Sequence, residues 1–344
     1  MKPLKNKTNI LPYQLLFLFL FLFTLSCSKS PIAQNAKIQQ NNQSAIAVLN
    51  NNYLPIALEL INSAKQSVLI SELYYKNDND TAQITRALKA AVKRNVIVNV
   101  LLENSIDENA SMSQELNKLG IKTTLDSNET YNHIKLIISD SKTALLGSTN
   151  LSYMSLEENN ETNLLIVDTT TAICLQNFVK FGTDPQPYVL IKENYVNSLI
   201  DKLNNAKNEV SILMYDFRVY DKYPNSPSNE IAQSIIEAAK RGVSVKIILE
   251  KSDFDEQLNQ ANQNTAEYFA KNGVIVKFES PYQISHAKLA IIDNGAFVGS
   301  ANWNYKSLTS NTEANIFTTN QQAIDKLKKY FENIWGKSKN YKME

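Results

Sequence analysis

Cysteine occurs only twice in the 344 residues, at Cys27 and Cys174. Cys27 closes an N-terminal leader, and with that thiol acylated no intramolecular disulfide can form, so an exported chain of this kind must be held by its core alone. Cys174 lies in the apolar-flanked stretch TAICLQNF with no histidine near it, which reads as a small buried hydrophobe and not a nucleophile. An excess of one charge is also missing. The formal net charge is +1, and with Lys2, Lys5 and Lys7 of the leader set aside, 32 basic residues face 34 acidic ones. Such a balance advertises no polyanion partner, because nucleic-acid backbones are bound mainly through cations. No apolar run is long enough to span a bilayer comfortably; LLFLFLFLF, from Leu15 to Phe23, is too short. Histidine is confined to His133 and His286, so any imidazole chemistry falls to those two. With 43% hydrophobic and 20% charged residues, the remainder is ordinary globular content, long enough for two cores.

The leader itself has a basic start, the apolar run, and a small Ser26 ahead of Cys27, which makes residues 1–26 a signal peptide. Ser26-Cys27 resembles the lipobox of bacterial lipoproteins, in which the cysteine is lipidated and becomes the new N-terminus; Thr24 departs from the aliphatic residue usual there. An exported, membrane-anchored lipoprotein is therefore expected, with plain secretion, a periplasmic location or an uncleaved anchor as alternatives. Residues 27–46 are polar and without helical or strand period, as a flexible linker should be. A monomer is expected.

Beyond the linker the chain repeats itself. YLPIALELINSAKQSVLISELYY matches YVNSLIDKLNNAKNEVSILMYDF, with apolar residues at helical spacing before Ala64-Lys65 and Ala206-Lys207 and β-branched residues after them. ITRALKAAVKRNVIVNVLLE then matches IAQSIIEAAKRGVSVKIILE, a helix closed by a basic pair (Lys93-Arg94, Lys240-Arg241) and a strand ending in Glu103 or Glu250. The basic pairs suit helix C-termini, where the macrodipole favours cations, better than a phosphate track. Alternating helix and strand predict an α/β fold of two similar halves, 47–183 and 184–344, with GTDPQPY as the boundary. Two copies could pack together for stability alone, but the next segment argues against that.

Late in each half stand HIKLIISDSKTALLGSTN from His133 and HAKLAIIDNGAFVGSAN from His286. Lys135 and Lys288 follow their histidines by two positions, so on a regular strand they share a face with them. Asp140 and Asp293, at an odd offset, should point away and fix a loop. In each Gly-Ser-x-Asn string, Gly147 or Gly299 allows close backbone approach, while Ser148, Asn150, Ser300 and Asn302 offer donors for phosphoryl oxygens. Glu161 and Glu313 are placed to accept from a histidine Nδ1, fixing the tautomer and leaving Nε2 for the substrate. One neutral imidazole could then attack phosphorus while the other, protonated, serves the leaving oxygen. The lysines and asparagines would balance charge, so no metal and no cofactor is called for. Aromatics recur at Tyr74, Tyr75, Tyr215 and Phe217 and again at Tyr153, Trp303 and Tyr305; some can line a cleft and the rest pack. The lysines could also be edge-strand gatekeepers and the glutamates ordinary surface carboxylates.

The paired strings resemble the HxKxxxxD motifs of the phospholipase D superfamily, over roughly residues 48 to 338. That resemblance implies two α-β-α sandwich halves about a pseudo-twofold axis, an active site at their interface, and a covalent phosphohistidine. It also implies His133 as nucleophile and His286 as general acid and base. A phospholipid headgroup hydrolase is the expected activity, given the tether, the near-neutral charge and the aromatics. A metal-independent nuclease, a phosphatidyltransferase and a non-catalytic lipid- or polyanion-binding module are the alternatives.

Overall fold

A computed structural model describes residues 44–342, apart from 128, 186, 253, 281 and 282. The signal peptide, Cys27 and the linker as far as residue 43 lie outside the described residues. Among the described residues no helix is long and apolar enough to cross a membrane.

In the first half, helix α1 (Tyr53–Ser63) buries Tyr53, Leu54, Ala57, Leu60 and Ile61, the face its apolar spacing predicts. There follow β2 (Ser67–Glu72), α2 (Thr81–Lys93), β3 (Ile97–Leu102), α3 (Asp107–Lys118) and β4 (Lys122–Leu125), and then β5 (Lys135–Ser139), β6 (Thr143–Gly147), β7 (Thr162–Val167) and α4 (Thr169–Phe181). An edge strand, β1 (Ser44–Leu49), precedes them all, so the sheet begins three residues inside the segment read as linker. The second half repeats the plan with α5 (Lys192–Asn205), β8 (Glu209–Met214), α6 (Pro227–Lys240), β9 (Ser244–Leu249), α7 (Glu256–Lys271) and β10 (Ile275–Phe278). It continues through β11 (Lys288–Ile292), β12 (Gly295–Gly299), α8 (Tyr305–Thr309), β13 (Asn315–Thr318), α9 (Gln321–Lys337) and β14 (Lys339–Asn340).

Each half forms a seven-stranded sheet, ordered β1-β7-β6-β5-β2-β3-β4 and β13-β12-β11-β8-β9-β10-β14. The helix-linked strands β2, β3 and β4 are parallel, while β5, reached by a loop, runs antiparallel to β2. Both basic pairs sit at helix ends as expected, and their arginines reach further: Arg94 donates to the Ile61 carbonyl (2.9 Å) and Arg241 to the Leu203 carbonyl (2.7 Å), tying neighbouring helix ends together. Gly182, at φ 64°, caps α4 where the boundary was expected.

Each sheet covers its own helices on one face. Between the halves lies a shared core, in which Leu136, Leu146 and Leu164 meet Leu289, Val298 and Ile316, sealed by Leu175 of α4 and Leu327 and Phe331 of α9. Cys174, on α4, is half-buried, and burial raises its thiol pKa, which fits a packing role.

Asp140 and Asp293 take the loop-fixing part assigned to them. Both adopt left-handed backbone (φ 53° and 47°) just after the β5 and β11 strands. The Asp140 carboxylate accepts from the amides of Lys65 (3.0 Å), Gln66 (2.7 Å) and Ser67 (3.0 Å), and Asp293 does the same for Lys207, Asn208 and Glu209. Each locks the hairpin to the start of the central strand. We expect Asp140→Ala to cost about 1–3 kcal/mol of stability in denaturant unfolding, with activity per folded molecule unchanged.

Candidate active site

His133 and His286 stand immediately ahead of β5 and β11. Backbone hydrogen bonds that cross between the halves place them. The His133 amide donates to the Thr312 carbonyl (2.9 Å) and Thr312 donates back to Tyr131 (2.8 Å); the His286 amide donates to Asn160 (2.9 Å) and Asn160 to Ile284 (2.7 Å). The segment before each histidine is thus zipped to the segment before the other half's glutamate. His133 Nδ1 accordingly lies 2.9 Å from Glu313, and His286 Nδ1 3.1 Å from Glu161. Sequence alone did not say which glutamate serves which ring; the carboxylates are exchanged between halves.

The rest of each repeated string holds these carboxylates. Ser148 Oγ donates to Glu161 and accepts from the Thr162 amide (2.9 Å); Ser300 Oγ donates to Glu313 and accepts from Ala314 (3.1 Å). The expectation that these hydroxyls bind substrate is therefore corrected: both serines are fully buried and already committed. Asn159 and Asn311 each donate to the second oxygen of the glutamate two positions on, at 3.3 Å. A Cβ on Gly147 would collide with Asn163 and the Thr162 carbonyl, and one on Gly299 with Asn315 and the Ala314 carbonyl. Only glycine permits that approach.

Lys135 and Lys288 are buried and donate to the carbonyls of their own histidines, at 2.8 and 2.6 Å. Asn150 and Asn302 each carry a buried amide oxygen with no hydrogen-bond partner among the described residues, so either amide can turn its NH2 to an incoming phosphoryl oxygen. Of the aromatics, Tyr75, Phe217 and Trp303 are core. Tyr215 meets His286 edge-on (4.8 Å between centroids) with the Lys288 ammonium 4.9 Å over its face, and Tyr131 stacks on His133 at 6.1 Å.

Three acidic residues had no site role in the sequence reading. Glu103 accepts from the Asn132 amide and Glu250 from the Ser285 amide, both at 2.6 Å, so each strand-ending glutamate fixes the residue just before a histidine. Their repeated position was the available signal. Glu72, fully buried on β2, has no acidic counterpart in the second half, where Met214 stands, and no repeat marks it.

Burial dominates the electrostatics. It pushes His133 down to about 4, against the pull of Glu313 and with help from Lys135 and Lys288; His286 is lowered for the same reason, with Lys288 adding to it. Burial likewise lowers Lys135 to about 8 and Lys288 to about 7, partly offset by the carboxylates. For Glu161 and Glu313 burial works the other way, but the facing histidine, lysine and serine outweigh it and leave both below the usual carboxylate range. The pairing of one neutral and one protonated ring is thus not the resting state: both imidazoles are driven toward neutrality. The fields also cross, since each lysine acts on the other half's histidine, which places all six groups in one cluster.

Two α/β halves sharing a core, each lending a carboxylate to the other's histidine-lysine pair, define the two-motif phospholipase D class. The family described as "Cardiolipin synthase, PLD-like domain" matches residues 57–180 and 199–335, and the chain belongs to it, within the phospholipase D superfamily. Phospholipase D Y of Dictyostelium discoideum is 24% identical over 166 residues, which is 44% of this chain and only 37% of that protein. Cardiolipin synthase B of Shigella flexneri is 25% identical over 311 residues, covering 77% of this chain and 73% of that one. The crystal structure of phosphatidylserine synthase from Haemophilus influenzae Rd KW20 superimposes with a TM-score of 0.68 at 14% identity over 88% of this chain and 90% of that one, a likeness of fold.

Proposed function

We propose that this protein cleaves phospholipid phosphodiesters by a covalent phosphohistidine route, with water as acceptor. The observation that carries the proposal is the pair of histidines, each with Nδ1 held by a carboxylate of the opposite half, which leaves Nε2 as the reactive nitrogen of both rings. His133 Nε2 attacks phosphorus and the bond to the leaving oxygen breaks as that oxygen takes a proton from His286. His286 then accepts a proton from water as the water attacks and the P–N bond breaks. Burial drives both rings toward neutrality, and the negative charge of a bound substrate raises the affinity of His286 for the proton it donates. Lys135, Lys288, Asn150 and Asn302 hold the non-bridging oxygens.

A lipid substrate is supported by exposed apolar side chains in the segments that follow β4, β6, β9 and β12, strands that end on the sheet edge where the histidines lead into β5 and β11: Tyr131, Tyr153, Met154, Tyr305 and, at 87% exposure, Phe254. A second reading, phosphatidyl transfer to an alcohol, is favoured by the family description and the Shigella relative. It needs only that an alcohol replace water in the second step. Membrane attachment through a lipidated Cys27, on the exported side, belongs to the same proposal.

The test is the purified full chain on phosphatidylethanolamine or phosphatidylglycerol vesicles, with and without glycerol, beside single- and double-stranded DNA. Phosphatidic acid is expected, and a phosphatidylglycerol-type product in glycerol would establish transfer. Cleavage of DNA with no lipid product would overturn the lipid reading. On a diester whose leaving group needs no proton from His286, the acid limb of kcat/KM should fall near pH 4, where His133 takes up its proton, and the alkaline limb near pH 7 to 8, where the lysines lose theirs. An acid limb near 6.5 would show instead that burial does not govern the nucleophile.

A further inference from the structure

Glu72 is fully buried on β2, directly opposite Lys135 in the β2–β5 register, so their side chains leave one face of the sheet with Cβ atoms about 5 Å apart. One oxygen of its carboxyl accepts from the Leu73 amide (3.2 Å), and the other has no hydrogen-bond partner among the described residues. The phenol oxygen of buried Tyr53, on α1, also lacks one. The second half is built differently at the same places. Met214 stands opposite Lys288, and the Tyr53 counterpart, Tyr195, accepts from the Trp303 indole at 3.0 Å, where the first half has Leu151. An apolar, satisfied arrangement in one half thus replaces a polar, partly unpaired one in the other. A buried carboxyl costs stability unless it is used.

We propose that Glu72 is a positioning residue for the active site, standing behind Lys135 to keep that ammonium charged for the phosphoryl oxygens, a support Met214 does not give Lys288. The inference rests on the phosphodiesterase reading of this site. Its physical basis is the sharing of a proton. Burial raises the Glu72 carboxyl well above its usual range while Lys135 pulls it back. The two groups therefore favour each other's charge, and a carboxylate at Glu72 holds the proton on the Lys135 amine. The charged and titratable groups around the pair are Glu161, Glu313, His133, His286 and the repelling Lys288 toward Lys135, and Glu161, Tyr53 and Tyr75 toward Glu72. Lys288 meets Glu161, Glu313, His286, the more committed Asp216, which is already bonded to Arg218 and Asn304, and the repelling Lys135. The two lysines, alike in sequence, are thereby unequal.

Two opposite substitutions test this in the full chain between pH 6 and 9. The readouts are kcat/KM on bis(4-nitrophenyl) phosphate and calorimetric affinity for sulfate, whose charge is constant over that range. Glu72→Gln should lose about tenfold more, relative to wild type, at pH 8.5 than at pH 6, as a one-unit fall in the Lys135 pKa requires. Met214→Glu should move the alkaline limb upward by giving Lys288 the same support. Variant-to-wild-type ratios that stay constant with pH in both readouts would overturn the proposal, and should Glu72→Gln not fold, an unmoved limb in Met214→Glu does so alone. Sulfate affinities that shift with pH in Glu72→Gln and Met214→Glu as expected, in a protein that cleaves no diester, would sink the function and uphold the role of Glu72 toward Lys135.

Discussion

His133→Ala is expected to lower diester turnover by about 10⁴-fold or more and to leave no phosphoryl-enzyme in rapid-quench mass spectrometry. His286→Ala should differ in kind. With a good leaving group that needs no proton, attack by His133 can proceed while hydrolysis stalls, so an acid-labile phosphohistidine should accumulate to near stoichiometry. The reverse pattern would exchange the two assignments, and unchanged turnover in both variants would remove these rings from the chemistry. The near-symmetry of the site makes this comparison necessary, because the rings have matching partners: a carboxylate at 2.9 Å for one and 3.1 Å for the other.

The second large effect runs in opposite directions for activity and stability. Lys288 is 2% exposed, and burial lowers its pKa from the ordinary 10.5 to about 7. The folded state therefore holds the proton less tightly than the unfolded chain. Between about pH 7 and 10.5 the unfolded chain binds more protons, so stability rises with pH across that window, and below it the full cost of the buried ammonium is present. Lys288→Met should abolish activity yet unfold at a higher temperature than wild type at pH 7, by an amount on the order of a few kcal/mol. The gain should shrink as the pH approaches 10.5. A difference in melting temperature that does not vary with pH would contradict the depressed pKa.

Much of this was legible in the sequence because it depends on short-range geometry. The two-residue spacing lets Lys135 and Lys288 reach back to the carbonyls of their histidines, and Asp140 and Asp293, in left-handed turns just after the strands, bind the turn amides as expected. The helix and strand order of both halves followed from periodicity. What depends on distant pairing was not legible. Nothing local says that Glu161 faces His286, more than a hundred residues on, because that choice is made by the Asn160–Ile284 and Asn160–His286 backbone bonds. Ser148 and Ser300 were misread because a hydroxyl beside an asparagine suits a phosphate as well as a carboxylate; only the approach of β6 to β7, and β12 to β13, decides. Glu72 escaped because it breaks the repeat, and the repeat was the guide.

The exchange of carboxylates between halves has a bearing on how such a chain could be divided. Either half expressed alone would present an imidazole with nothing behind its Nδ1 and an acid with no ring to steady, so it would be inert as a monomer. Two separate fragments would have to find each other at the cost of their free diffusion, and their activity would rise with concentration. Joining them in one polypeptide turns that encounter into an internal event, which keeps every molecule competent at any dilution.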